Sequence, residues 1–203
     1  GGKNNGRGER DMSDKMGGIT VQKTTTVPAS IGRIAIATAA LAICANVQVP
    51  LQPVPFTLQI LALGLIVATL NTKEALSSTL SYLVIGALGA PVFAGAMGGL
   101  TRLVGPTGGF ILGFVPAAGV GSWLCARLAR TRLPQATSTF FAIIAAIAIA
   151  YLFGWAQLMV VRQLSPAAAF AAGIAPFAVM DLLKAVIATS VVSAGRIAFR
   201  ARK

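Results

Sequence analysis

Asp181 and Lys184 stand three residues apart in Pro176-Phe-Ala-Val-Met-Asp-Leu-Leu-Lys184, inside an otherwise apolar stretch. A carboxylate offers only acceptors and an ammonium only donors, so the two together offer both an acceptor and a donor to a polar ligand. The competing reading is that they merely neutralise each other across a helical turn while packing against other spans. Apolar residues of similar volume serve packing as well as a buried ion pair does, or better. A charge at mid-span also costs roughly 2.5–3.5 kcal/mol on insertion scales, and such residues face a cavity, a partner or a pathway. A polar ligand is therefore the stronger reason for keeping both charges.

Other chemistries lack their residues. The chain contains no histidine, and its acids are Glu9, Asp11, Asp14, Glu74 and Asp181. A Ser-His triad, an H-E-x-x-H metal site and an aspartyl dyad within the apolar region are thereby excluded. No G-x-x-x-x-G-K-[ST] phosphate loop is present, so the chain does not power transport by that route. An enzyme is not expected, and no cofactor is implied. The net charge of +12 does not indicate nucleic acid, because the basic residues lie between apolar runs rather than in one aromatic-interleaved patch. Cys44 and Cys125 are predicted near opposite membrane faces, too far apart for a disulfide.

The elements that must position the pair follow from hydropathy. Of 203 residues, 56% are hydrophobic and 11% charged, against about a quarter charged in soluble domains. Apolar runs lie at 31–47, 56–70, 75–89, 107–129, 139–161 and 176–194. They lack the alternation of a barrel, and backbone in lipid must satisfy its own hydrogen bonds, so an all-α integral membrane protein of six transmembrane helices is predicted. The second and third runs are about 22 Å long at 1.5 Å per residue, short against a hydrocarbon core of about 30 Å. Residues 1–27 are polar and glycine-rich and read as a disordered leader, with Gly1-Gly-Lys-Asn-Asn-Gly6 resembling a cloning remnant and Met12 a candidate start. Residues 28–203 form the membrane domain.

Orientation follows from the Lys and Arg of the connecting segments. One side takes Arg33 and the basic residues before it, Lys73, Arg127, Arg130, Arg132, and the four from Arg196 onward, 14 in all; the other takes only Arg102 and Arg162. Both termini are therefore expected in the cytoplasm.

The last apolar stretch, 167–199, is too long for one span at about 50 Å. Gly173-Ile-Ala-Pro176 is the expected break, because proline favours the first helical position. Asp181 and Lys184 then share an inward face in the second and third turns from the outer end. Above them lie two uncharged or glycine-rich outer connections, Asn46–Gln59 with three prolines and Gly89–Gly109. Their apolar residues suggest loops folded into the protein. Tyr151, Trp155, Phe93 and Phe110 read, from spacing alone, as packing residues. Ala35-Ile-Ala-Thr-Ala39 is a small-xxx-small pattern that allows close helix approach.

Several phrases in combination resemble the BioY family, the biotin-binding S components of energy-coupling factor (ECF) vitamin transporters. They are Pro53-Val-Pro-Phe-Thr-Leu-Gln59, Gly89-Ala-Pro-Val-Phe-Ala-Gly95, Gly98-Gly99, Gly105-Pro-Thr-Gly-Gly-Phe-Ile-Leu-Gly-Phe114 and Pro176-Phe-Ala-Val-Met-Asp-Leu-Leu-Lys184. The resemblance covers residues 31–199. It implies a six-helix S-component fold in the bacterial cytoplasmic membrane, surrounded by lipid, that captures biotin from outside. It also implies an ECF transmembrane coupling subunit and a pair of ATPases as partners, with Ala35 and Ala39 on the docking face. By the same resemblance, Asp181 accepts from the ureido N–H and Lys184 donates to the ureido oxygen; Lys184 on the valerate is the alternative. Gln59 is a polar contact, Phe93 covers the bicycle, and Thr107 and Gly108 lie in the run offering backbone N–H groups. Where some members carry an arginine in the glycine-rich run, this chain has Met97, and Arg102 is the substitute for the carboxylate contact. An S component for another small vitamin and a self-sufficient secondary transporter are the alternatives.

Overall fold

The computed structural model describes residues 27–51 and 53–201. Apart from Val27, the expected polar leader lies outside the described residues, as do Arg202 and Lys203. Eight helices are present among the described residues: α1 (Val27–Asn46), α2 (Gln59–Thr69), α3 (Thr72–Ala87), α4 (Leu100–Leu103), α5 (Gly108–Leu128), α6 (Gln135–Arg162), α7 (Pro166–Gly173) and α8 (Ala175–Ala201). Two short strands, β1 (Gln48–Val49) and β2 (Phe56–Thr57), pair antiparallel with Gln48 opposite Thr57 and Val49 opposite Phe56.

Four helices, α1, α5, α6 and α8, are long and apolar enough to cross a membrane. The other two apolar runs form α2, of 11 residues, and α3, of 16, about 16 and 24 Å at 1.5 Å per residue. The run expected to begin helix at Phe56 starts it at Gln59 instead, because Phe56 and Thr57 give their backbone groups to β1.

Local chemistry sets the boundaries. Asn71 caps α3 by accepting from the Glu74 N–H at 3.0 Å, and Ser165 caps α7 with Pro166 next to it. Gln163 takes the left-handed conformation that ends α6. The long last stretch is broken as expected, but at Ile174, whose carbonyl already accepts from Phe177 and Ala178. Helix α8 therefore begins one residue before Pro176. Proline is tolerated there because the first helical N–H groups have no intrahelical acceptor. The helix also continues beyond residue 194, to Ala201.

Helices α5 and α6 make the most extensive contact, and α2 lies between α5, α6 and α8. Small residues allow the close approach: a Cβ on Gly113 would stand 3.1 Å from the Ala150 Cα, and one on Gly109 would stand 2.4 Å from the Phe153 oxygen. The main core joins α1, α2, α3, α5, α6 and α8. A second cluster gathers Val54, Leu158, Ala169 and Phe177, with Phe56, Phe110, Tyr151 and Trp155 packed on it. The proline-rich connection is thus folded into the protein beside α6, α7 and α8.

Two polar ties hold the opposite end. Arg33 on α1 donates to Glu74 on α3, with Nε 3.1 Å from Oε1. Arg196 on α8 donates to the Ala68 carbonyl at 2.8 Å, supplying a donor to the last turn of α2. Cys44 and Cys125 are both free thiols.

Candidate ligand-binding site

On α8 the buried side chains are Phe177, Asp181, Lys184, Ala185, Ala188, Thr189 and Val192. Their spacing of three and four puts them on one helical stripe, while Leu182 and Leu183 face outward at about half exposure. The pair therefore points inward, as its spacing predicts. Asp181 is 4% exposed and Lys184 5%.

Neither charge is left without partners. Lys184 Nζ donates to Asp181 Oδ1 and to the backbone oxygen of Thr57, both at 2.6 Å. It also lies 3.9 Å from the centroid of the Phe56 ring, whose negative face attracts a cation. The other carboxylate oxygen, Oδ2, accepts from the Tyr151 hydroxyl at 2.6 Å. A carboxylate has about four lone-pair sites, so Asp181 retains acceptor capacity for a further donor.

This cluster forms one wall of a cavity of about 280 Å³. Asp181, Lys184, Gln59, Phe93, Arg102 and Thr107 all line it, as do Tyr151 and Phe110. The prolines 50, 53 and 55 and Met97 contribute an apolar rim. Both connections expected above the pair thus reach it: the β1–β2 hairpin from one side, the glycine-rich segment from the other.

A chain of hydrogen bonds fixes the polar floor. Thr57 Oγ1 donates to Gln59 Oε1 at 3.1 Å and accepts from the Gln59 N–H at 3.3 Å. Gln59 Nε2 donates to the Tyr82 hydroxyl at 2.8 Å, which in turn donates to the Val92 carbonyl at 3.1 Å. Gln59 is therefore held in one amide orientation. Phe93 follows directly, 1% exposed and edge-on to Tyr82 with ring centroids 5.4 Å apart. It fills the hollow over Gly86, where a Cβ would stand 2.1 Å from the ring.

The glycine-rich segment is tied down by α6. Gln157 Nε2 donates to the Leu103 and Gly105 carbonyls, each at 2.7 Å. Arg102, one residue before Leu103, is half-buried and its guanidinium makes no hydrogen bond to any described residue. Gly108 differs from the other expected site residues. It does not line the cavity, its N–H bonds the Gly105 carbonyl at 3.1 Å, and a Cβ there would stand 1.8 Å from the Leu103 oxygen. Its glycine is required by packing.

Ala35 and Ala39 lie away from the cavity, exposed on α1 in line with Ile31 and Ile43. Among the described residues, no group of three or more His, Cys, Asp or Glu is placed to hold a metal ion.

Tyr82, whose hydroxyl holds Gln59, and two residues of α6 contribute to the site without being singled out by the sequence. Tyr151 and Gln157 are isolated polar side chains on an apolar helix, and by spacing Tyr151 is indistinguishable from a packing aromatic. The available signal is that Tyr151 and Gln157 lie within two turns of each other on the longest span.

Several membrane-length helices around a polar-floored cavity define a helical integral membrane protein built to hold a small ligand. The fold is that of a solved S-component for biotin from an ECF-type ABC transporter, with a TM-score of 0.76 over 82% of this chain and 90% of that one, at 20% identity. The BioY family model matches residues 16–201, and the chain belongs to the BioY family. It is 36% identical over 167 residues to the probable biotin transporter BioY of Pyrococcus horikoshii, spanning 82% of this chain and 94% of that one. It is 32% identical over 160 residues to the biotin transporter BioY2 of Lactococcus lactis subsp. cremoris, spanning 79% and 86%.

Proposed function

We propose that this protein is the biotin-capturing S component of an ECF-type transporter. The observation that carries the reading is the Asp181–Lys184 pair, buried at one wall of a cavity of about 280 Å³ in a chain whose relatives are biotin transporters. The volume lies near the lower end for small-ligand pockets, roughly 300–1,000 Å³, and suits a compact bicycle with a short tail.

The ureido ring of biotin has two N–H donors and one carbonyl acceptor. Asp181 accepts from one N–H with its remaining lone pairs, and Lys184 turns its third N–H from the Phe56 face to the ureido oxygen. Gln59, fixed by Thr57 and Tyr82, offers a further polar contact, and Phe93 covers the bicycle. Arg102 takes the valerate carboxylate, with Thr107 beside it. The guanidinium's lack of a hydrogen-bond partner among the described residues supports this assignment.

Binding is the protein's share of the task. Six crossings, with both termini in the cytoplasm, agree with the excess of basic residues on one side. They also include the short α2 and α3, of 11 and 16 residues. The membrane is the bacterial cytoplasmic one. Ala35 and Ala39 form part of a smooth α1 face suited to the transmembrane coupling subunit, and a pair of ATPases supplies the energy.

Calorimetric titration of detergent-purified protein with biotin, thiamine and riboflavin tests the assignment. Saturable one-site binding of biotin alone is expected; preference for another vitamin would replace the ligand assignment.

A further inference from the structure

Within the proposed biotin site, the geometry points to Tyr151 as a positioning residue that keeps the Asp181–Lys184 pair open to the ligand. An aspartate and a lysine three residues apart on one helix face can close on each other, with the ammonium bridging both carboxylate oxygens. Such a closed pair satisfies itself and offers little to a ligand. Here Lys184 Nζ approaches Oδ1, and Oδ2 is held by the Tyr151 hydroxyl from α6. The carboxylate is stretched between two donors on two helices, so its plane is set by the α6–α8 spacing and each oxygen keeps a free lone pair.

The tyrosine is itself held. Its ring meets Phe110 edge-on, at 6.4 Å between centroids and 87° between planes. Phe110 in turn occupies the space over Gly154, where a Cβ would stand 2.3 Å from the ring. Glycine at 154 thus lets Phe110 buttress Tyr151 three residues away on the same helix. Tyr151 and Asp181 both line the cavity, so the carboxylate that the hydroxyl holds stands at the cavity wall. Preorganisation of this kind raises affinity by lowering the ordering cost at binding.

Tyr151→Phe removes one oxygen and retains the ring. It is expected to weaken biotin binding about 10- to 100-fold, the range for one hydrogen bond to a charged group, and also to lower the ligand-free unfolding temperature, because Asp181 Oδ2 loses its donor. The discriminating measurement is a double-mutant cycle with Asp181→Asn. If Tyr151 acts through Asp181, its substitution costs less than about threefold in the Asp181→Asn background. A ligand-side cycle needs only the single variant: biotin methylated on its ureido nitrogens loses the N–H that Asp181 accepts, so Tyr151→Phe leaves its affinity unchanged.

Equal loss for biotin and the methylated analogue, additive losses in the protein cycle, or unaltered biotin affinity in Tyr151→Phe would each overturn the inference. Failure of the parent chain to bind biotin would instead overturn the functional proposal on which it rests.

Discussion

Lys184 Nζ lies 2.6 Å from the backbone oxygen of Thr57, 127 residues earlier in the chain. One side chain therefore joins the helix that carries the buried charges to the hairpin that covers them. A ligand that draws on Lys184 also acts on the group that holds the hairpin in place.

If the charges serve the proposed ligand more than the fold, removing one and removing both must differ. Lys184→Met alone leaves Asp181 buried without its cation, and a loss of about 3–5 kcal/mol of stability is expected. Replacing both, as Asp181→Leu with Lys184→Met, should recover most of that stability while abolishing biotin binding. Thermal unfolding and calorimetry on the same preparations check the two halves; a double variant that still bound biotin would sink the assignment.

Asp181→Asn keeps the shape and removes the charge. Biotin affinity is expected to fall by at least tenfold, because the charge-assisted acceptor is lost. Affinity matching the parent protein's would remove Asp181 from the site.

Arg102 is assigned the valerate end. Biotin and its uncharged amide should differ by about 10- to 100-fold in affinity for the parent chain. In Arg102→Ala that preference should shrink to within a few-fold. If the preference survived there but vanished in Lys184→Met, the ligand would be bound the other way round.

Gly108→Ala tests the packing explanation of that glycine. The new methyl would fall 1.8 Å from the Leu103 oxygen and 2.6 Å from Gln157 Nε2. It would disturb the two hydrogen bonds that hold the glycine-rich segment, and a loss of about 1–3 kcal/mol is expected. Gln157→Leu should destabilise the protein by a similar amount, since it orphans the Leu103 carbonyl and leaves Gly105 only its bond from the Gly108 N–H. Denaturation curves that leave both variants at parent stability would contradict this account.

Orientation can be read by labelling. With Cys44 and Cys125 replaced by alanine, Leu100→Cys should react with a membrane-impermeant maleimide in intact cells. Ala129→Cys should react only after permeabilisation. The opposite pattern would invert the topology.

Hydropathy and spacing by themselves determine much of this protein. Apolar runs locate the helices because lipid forces each backbone segment to satisfy itself, a local demand that a one-dimensional pattern records. The inward face of Asp181 and Lys184 follows from a helical repeat, and the break before Pro176 from the length a bilayer allows. Tertiary structure alone decides their partners. The Tyr151 hydroxyl is 30 residues from Asp181 and the Thr57 carbonyl 127 from Lys184, distances over which no local periodicity carries information. It also moves Gly108 from the expected contacts to the packing, since only the approach of the Leu103 oxygen shows what a side chain would strike. The charges are legible because they are rare in oil. The tyrosine that bonds Asp181 is ordinary in composition, and its partnership becomes visible only when helices α6 and α8 are side by side.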